Sequence, residues 1–159
     1  MENSLVVAKK LAEMYKDMYG QDIDELKVHK LMYFSQREAY LRSGVPLFEE
    51  EFYAWKYGPV LLSVRHEFCK PAPFQNVGGD ITDETRELLM FVLKHYGMVS
   101  SWRLSILSHE EFSWKQAREG LRPSDNGSNK LLPNAIRLDA VREKMRRRRN
   151  EIVHISEGH

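Results

Sequence analysis

Apolar positions recur at intervals of three and four residues along most of the chain, the spacing that gathers side chains on one face of an α-helix. The first stripe is Val7, Leu11, Met14, Tyr15 and Met18, with Lys9, Lys10, Glu13, Lys16 and Asp17 away from it. It predicts an amphipathic helix capped by Asn3 or Ser4 and closed by Gly20. A second helix opens at Asp22 or Asp24 and ends at Gly44 and Pro46. Its turn Leu31-Met32-Tyr33-Phe34 is apolar on every side, which places this helix centrally with neighbours all round.

Between Pro46 and Pro59 the period changes. The stretch "LFEEEFYAWKYGPV" roughly alternates, is rich in aromatic rings and is bounded by turn residues, the pattern of an extended segment or short β ribbon. Gly58 is expected to take a backbone conformation closed to other residues, and Pro59 to start the next helix, whose stripe is Leu61, Val64 and Phe68. Thr82 caps a further helix with Asp83 and Glu84 in its first turn and Leu88, Leu89, Val92, Leu93 and Tyr96 on its apolar side, and Gly97 stops it. Ser100 caps a short helix, with Val99 and Leu104 at staple spacing. Ser113 and Gln116 have capping-box spacing, so another helix is expected to start near Trp114. The longest irregular stretch, "GLRPSDNGSNKLLP", is expected to move at Asp125-Asn126-Gly127. Asp139 is expected to cap the last helix, which carries Val141, Met145 and the run Arg146 to Arg149 before a polar tail over 156–159. These elements describe a mainly α chain of six to seven helices with one short extended segment or ribbon, folded as a single domain over 1–159 with its core at about 5–155.

Composition narrows the class without naming a function. Lys and Arg total 24 against 23 Asp and Glu, so the chain as a whole is neither a general nucleic-acid binder nor strongly acidic. The single cysteine, Cys69, cannot close an intrachain disulfide, and a reducing, cytoplasmic setting is expected. No run approaches the roughly 18 apolar residues that a membrane span needs, so no membrane partner is expected.

Candidate chemistry is sparse. His109-Glu110-Glu111 invites a hydrolase reading, yet a zinc-protease helix needs a second histidine four positions on, and position 113 is serine. His109 is therefore expected to order the turn between two helices, and His29 to be a packed or bridging histidine. Cys69 is expected to be a small, partly buried apolar residue. Trp55 and Trp114 are expected to be buried structural residues. No catalytic, metal or cofactor residue is assigned. From Arg142 to Arg149 there are six basic residues and one acid, +5 in a chain of net +1, which leaves −4 elsewhere. Such a run suits a solvated helix end, an acidic protein partner or a phosphate backbone. Stacking aromatics are missing from it, which puts nucleic acid behind a protein partner. Arg146, Arg147, Arg148 and Arg149 are thus the candidate partner-binding residues.

The order of several short motifs is more specific than any one of them. Lys30, Leu31, Tyr33 and Phe34 are followed by Gly44, Pro46, Leu47 and Phe48; by Ala54, Trp55, Gly58, Pro59 and Val60; and by Ser108, His109, Trp114, Ala117 and Arg118. This series resembles the Panacea or SocA-like antitoxin domain, a family also met as phage-associated proteins. One departure is Ser113, where the family often has proline before the late tryptophan. The resemblance implies a mostly helical domain that neutralises a cognate toxin by binding it, without catalysis or cofactor, in a toxin–antitoxin or prophage module. Some relatives are similar to adaptors that deliver the toxin to an ATP-dependent protease. The motif residues Lys30, Tyr33, Phe34, Trp55, Gly58, Pro59, His109, Trp114 and Arg118 are expected to serve the fold. The alternative is a nucleic-acid-associated regulator that uses the C-terminal arginines.

Overall fold

A computed structural model describes residues 1–157 and places seven helices and one two-stranded antiparallel sheet among them. The mainly α expectation holds: about 60% of the chain is helical. Helix α1 spans Ser4–Tyr19, with the Asn3 side chain accepting from the N–H groups of Leu5 and Val6 and Gly20 closing it in the left-handed region. Helix α2, Glu25–Ser43, opens on Asp24 and closes on Gly44. Every residue of α2 from Lys27 to Tyr40 is buried, so it is the axis on which α1, α4, α5 and α7 pack. Its buried polar side chains are mostly bonded: Lys27 Nζ donates to the Gly97 carbonyl at 2.9 Å, and Gln36 serves both Leu47 and Phe48.

Strands β1 (Tyr53–Trp55) and β2 (Gly58–Val60) form the ribbon, with Tyr53 opposite Val60, Ala54 opposite Pro59 and Trp55 opposite Gly58. Gly58 and Pro59 therefore lie inside the ribbon, and Pro59 does not start the next helix. Ala54 directs its N–H away from β2, to the Asn129 carbonyl at 2.8 Å, so Pro59 faces it at a rung that requires no proline N–H. Helix α3 begins only at Leu62 and runs to Phe68. Cys69, just beyond it, is exposed rather than partly buried. Helix α4, Asp83–Tyr96, is capped by Thr82, and α5, Ser101–His109, by Ser100.

The largest departures lie in the last third of the chain. Helix α6 spans Phe112–Ala117 and α7 spans Pro133–Glu157. Ser113 sits within α6, fully buried, and caps nothing. The N–H groups of Phe112 and Ser113 donate instead to the carboxylate of Asp139, at 2.9 and 3.1 Å. Asp139 itself lies well inside α7, whose first residue is Pro133, a position where a missing N–H costs nothing. A carboxylate from one helix thus performs the cap that the local serine was expected to make for its own. Within the stretch expected to move, the carbonyls of Arg122 and Asn126 accept from Arg118, and Leu131 N–H bonds to the Phe52 carbonyl. Of the expected polar tail, 158 and 159 lie outside the described residues.

Candidate functional site

Of the motif residues, Lys30, Trp55, Gly58, Pro59, His109, Trp114 and Arg118 lie where α2, the ribbon, α5 and α6 meet, whereas Tyr33 turns to Asp139 and Phe34 stacks on Tyr96 of α4. Lys30 is completely buried, and its Nζ has no hydrogen-bond partner among the described residues. Burial pushes its ammonium down to about 7, with Asp24 pulling weakly the other way. Gly58 has φ +121°, and a Cβ built on it would stand 2.7 Å from both Lys30 Nζ and Ser108 Oγ, so conformation and space both demand glycine there. Ser108 Oγ donates to the Ser105 carbonyl at 2.9 Å. The His109 ring stacks on Trp114, centroids 4.0 Å apart and 8° from parallel, and Trp114 Nε1 donates to the Trp55 carbonyl at 2.9 Å. Arg118 reaches past the same ring to the Ala54 carbonyl at 3.1 Å. Burial, then the nearby Lys30 charge, lowers the His109 pKa. Trp55 and Trp114, expected to be buried, are each half-buried. A groove of about 430 Å3 runs over this region between His29, Trp55, Tyr57 and Val60. Lys30 lies beneath this groove and exposes no surface to solvent. His29 bridges as expected, its Nδ1 accepting from Leu61 N–H at 3.3 Å while Nε2 meets Glu25 at 3.1 Å.

A second buried polar cluster joins α2 to α6 and α7. Tyr33 Oη donates to Asp139 at 2.9 Å and lies 3.2 Å from Glu111, whose other oxygen accepts from Arg37 at 2.6 Å. Arg37 also donates to Tyr96 Oη at 2.9 Å and lies 3.7 Å from Glu143. Burial raises the Glu111 carboxyl to about 7 despite Arg37, and the neighbouring Asp139 adds to the rise. Nothing in the sequence announced this cluster, since its members come from positions 33, 37, 111, 139 and 143 and share no local pattern. Glu111 faces Arg37 and Tyr33, while His109 stacks on Trp114, so the histidine–carboxylate pair of the hydrolase reading is not brought together by a hydrogen bond among the described residues.

The arginine run divides by its geometry. Arg146 is paired to Glu143 through two bonds of 2.6 and 2.8 Å. Arg147 turns inward, over the Phe91 ring, to Glu38 at 2.8 Å and Glu143 at 3.2 Å. Arg148 and Arg149 are exposed. The buried side of α7 carries Ala135, Ile136, Asp139, Ala140 and Glu143, whereas Leu138, Val141 and Met145 are 57%, 51% and 60% exposed. Two carboxylates therefore face the core while three large apolar side chains face solvent.

Among the described residues, no helix is long and apolar enough to cross a membrane, and no three His, Cys, Asp or Glu side chains are grouped to hold a metal ion. A family model described as antitoxin SocA-like, Panacea domain, matches residues 28–115. A comparison with curated proteins finds no match, and a comparison with solved structures finds none either.

Proposed function

Because the chain belongs to the family of SocA-like antitoxins with a Panacea domain, we propose that it neutralises a cognate toxin by direct protein–protein binding within a toxin–antitoxin or prophage module. The family membership carries this reading, and the disposition of the polar groups supports it. Tyr33, Arg37, Glu111 and Asp139 hold one another and fasten α2 to α6 and α7, a structural use of these side chains that keeps the folded surface in place. The matched segment runs from α2 to α6, but α1 and α7 share its core through Val7, Leu11 and Ile136, so the domain is taken to include them. Delivery of the bound toxin to an ATP-dependent protease is a further step of the same reading, one that needs only a surface left free in the complex. The rival, a nucleic-acid-associated regulator, is favoured by the exposed Arg148 and Arg149 alone.

Co-expression separates these readings. A toxin that halts growth alone and is tolerated with this chain, and that co-purifies with it, supports neutralisation by contact. Rescue without a complex, accompanied by a fall in toxin transcript, supports the regulator instead.

A further inference from the structure

Helix α7 exposes more large apolar surface than a helix that only packs against its own core. Its inward side carries Ile136, the small Ala135 and Ala140 and the carboxylates Asp139 and Glu143, which meet Tyr33 and Arg37, and its outward side presents Leu138, Val141 and Met145 at i, i+3 and i+7. Each of the three is more than half exposed, and together with Arg142, Arg148 and Arg149 they bound a shallow concavity of about 480 Å3. Large apolar side chains gathered on a helix face and rimmed by one sign of charge mark a protein-binding surface.

We propose that this face of α7 is where the toxin docks, and that the toxin contributes an acidic amphipathic helix. Its apolar side chains seat on Leu138, Val141 and Met145, and its carboxylates meet Arg142, Arg148 and Arg149. The inference rests on the toxin-binding reading above and adds the surface and the chemistry of the partner. The ridge from Leu138 to Met145 is seven residues long, roughly 10 Å, or two turns, which is the reach of a facing helix read at i, i+3 or i+4, and i+7. A second copy of this chain is disfavoured as occupant, because a symmetric pairing would bring Arg142, Arg148 and Arg149 of one copy against those of the other. A phosphate backbone would match the arginines but leave the apolar ridge against a polar strand, and stacking rings are missing from the run.

The test uses the purified full chain and the purified toxin encoded beside it, with dissociation constants measured at two salt concentrations. Val141→Asp with Met145→Asp is expected to weaken the complex by at least about tenfold, with circular dichroism and melting temperature unchanged because both residues are largely exposed. Arg148→Gln with Arg149→Gln is expected to weaken it about three- to tenfold at low salt and to flatten its salt dependence. If the parent binds and both variants bind equally well, the docking inference is overturned and the toxin-binding function stands. If the parent itself does not bind, the function fails and the inference with it. Two further outcomes also overturn the inference: a parent dimer that the aspartate variant dissociates, which makes a second copy the occupant, and random duplex DNA released by the arginine variant while toxin binding persists.

Discussion

Lys30 is the residue whose environment is least comfortable. The other buried polar side chains of α2 each make at least one hydrogen bond or ion pair, but its amine is sealed beneath Gly58 and beside Ser108 with no partner among the described residues. The folded-state value near 7 lies well below the roughly 10.4 of a lysine in an unfolded chain. Between those values the unfolded chain binds more protons than the folded one, so the penalty is whole below about pH 7 and is relieved as pH rises toward 10. Each pH unit in that window restores up to about 1.4 kcal/mol. Lys30→Met is expected to match or exceed the parent's stability at pH 7 and to lose this rise, as read from urea unfolding at pH 7, 8 and 9. A variant that is less stable at every pH would show that the amine has a bonding role that outweighs its burial. Gly58 was legible in advance as a special backbone position, but what crowds it was not, because Lys30 and Ser108 approach it from 28 and 50 residues away.

Among the helices, Asp139 does the work of two residues. It caps α6 through Phe112 and Ser113 and accepts from Tyr33 on α2, so one carboxylate ties three helices together. Asp139→Ala is expected to cost about 2–4 kcal/mol, since a helix cap is lost and the buried Tyr33 hydroxyl loses its shortest partner. Tyr33→Phe alone is expected to cost less, and the double variant to cost less than the sum, because the two share one bond. Strict additivity in thermal unfolding would contradict the shared network. Local periodicity sufficed for α1, α2, α4 and α5, whose caps Asn3, Asp24, Thr82 and Ser100 lie in the sequence beside the helices they start. It misplaced α6 and α7 because the competing acceptor for the α6 N–H groups lies 27 residues downstream of Phe112. Pro59 misled in the same way: proline fits a helix start and also a rung that needs no N–H, and only the pairing of Ala54 with Asn129 decides which.

The charge of the molecule is arranged in two layers. An inner layer pairs Glu38 and Glu143 with Arg147 and Arg146, and an outer one leaves Arg142, Arg148 and Arg149 at the surface. Sequence reading treated Arg146 to Arg149 as a single feature, because consecutive identical residues carry no mark of which way each one turns around a helix. Arg147→Gln is expected to destabilise by about 1–3 kcal/mol, since the buried Glu38 loses its partner on α7. Arg148→Gln with Arg149→Gln is expected to stay within about 0.5 kcal/mol of the parent. Equal melting temperatures for both variants would contradict the division.

Family membership and the outward apolar face of α7 meet in one proposal, that this protein acts by occupying a toxin and not by turning it over. The most direct measurement is a titration of purified toxin activity with the purified chain at toxin concentrations well above the dissociation constant. Toxin activity is expected to fall linearly to an end point at a fixed molar ratio, with the complex recovered intact by gel filtration at that ratio. Complete inactivation by a small fraction of an equivalent, with no complex recovered, would contradict the account.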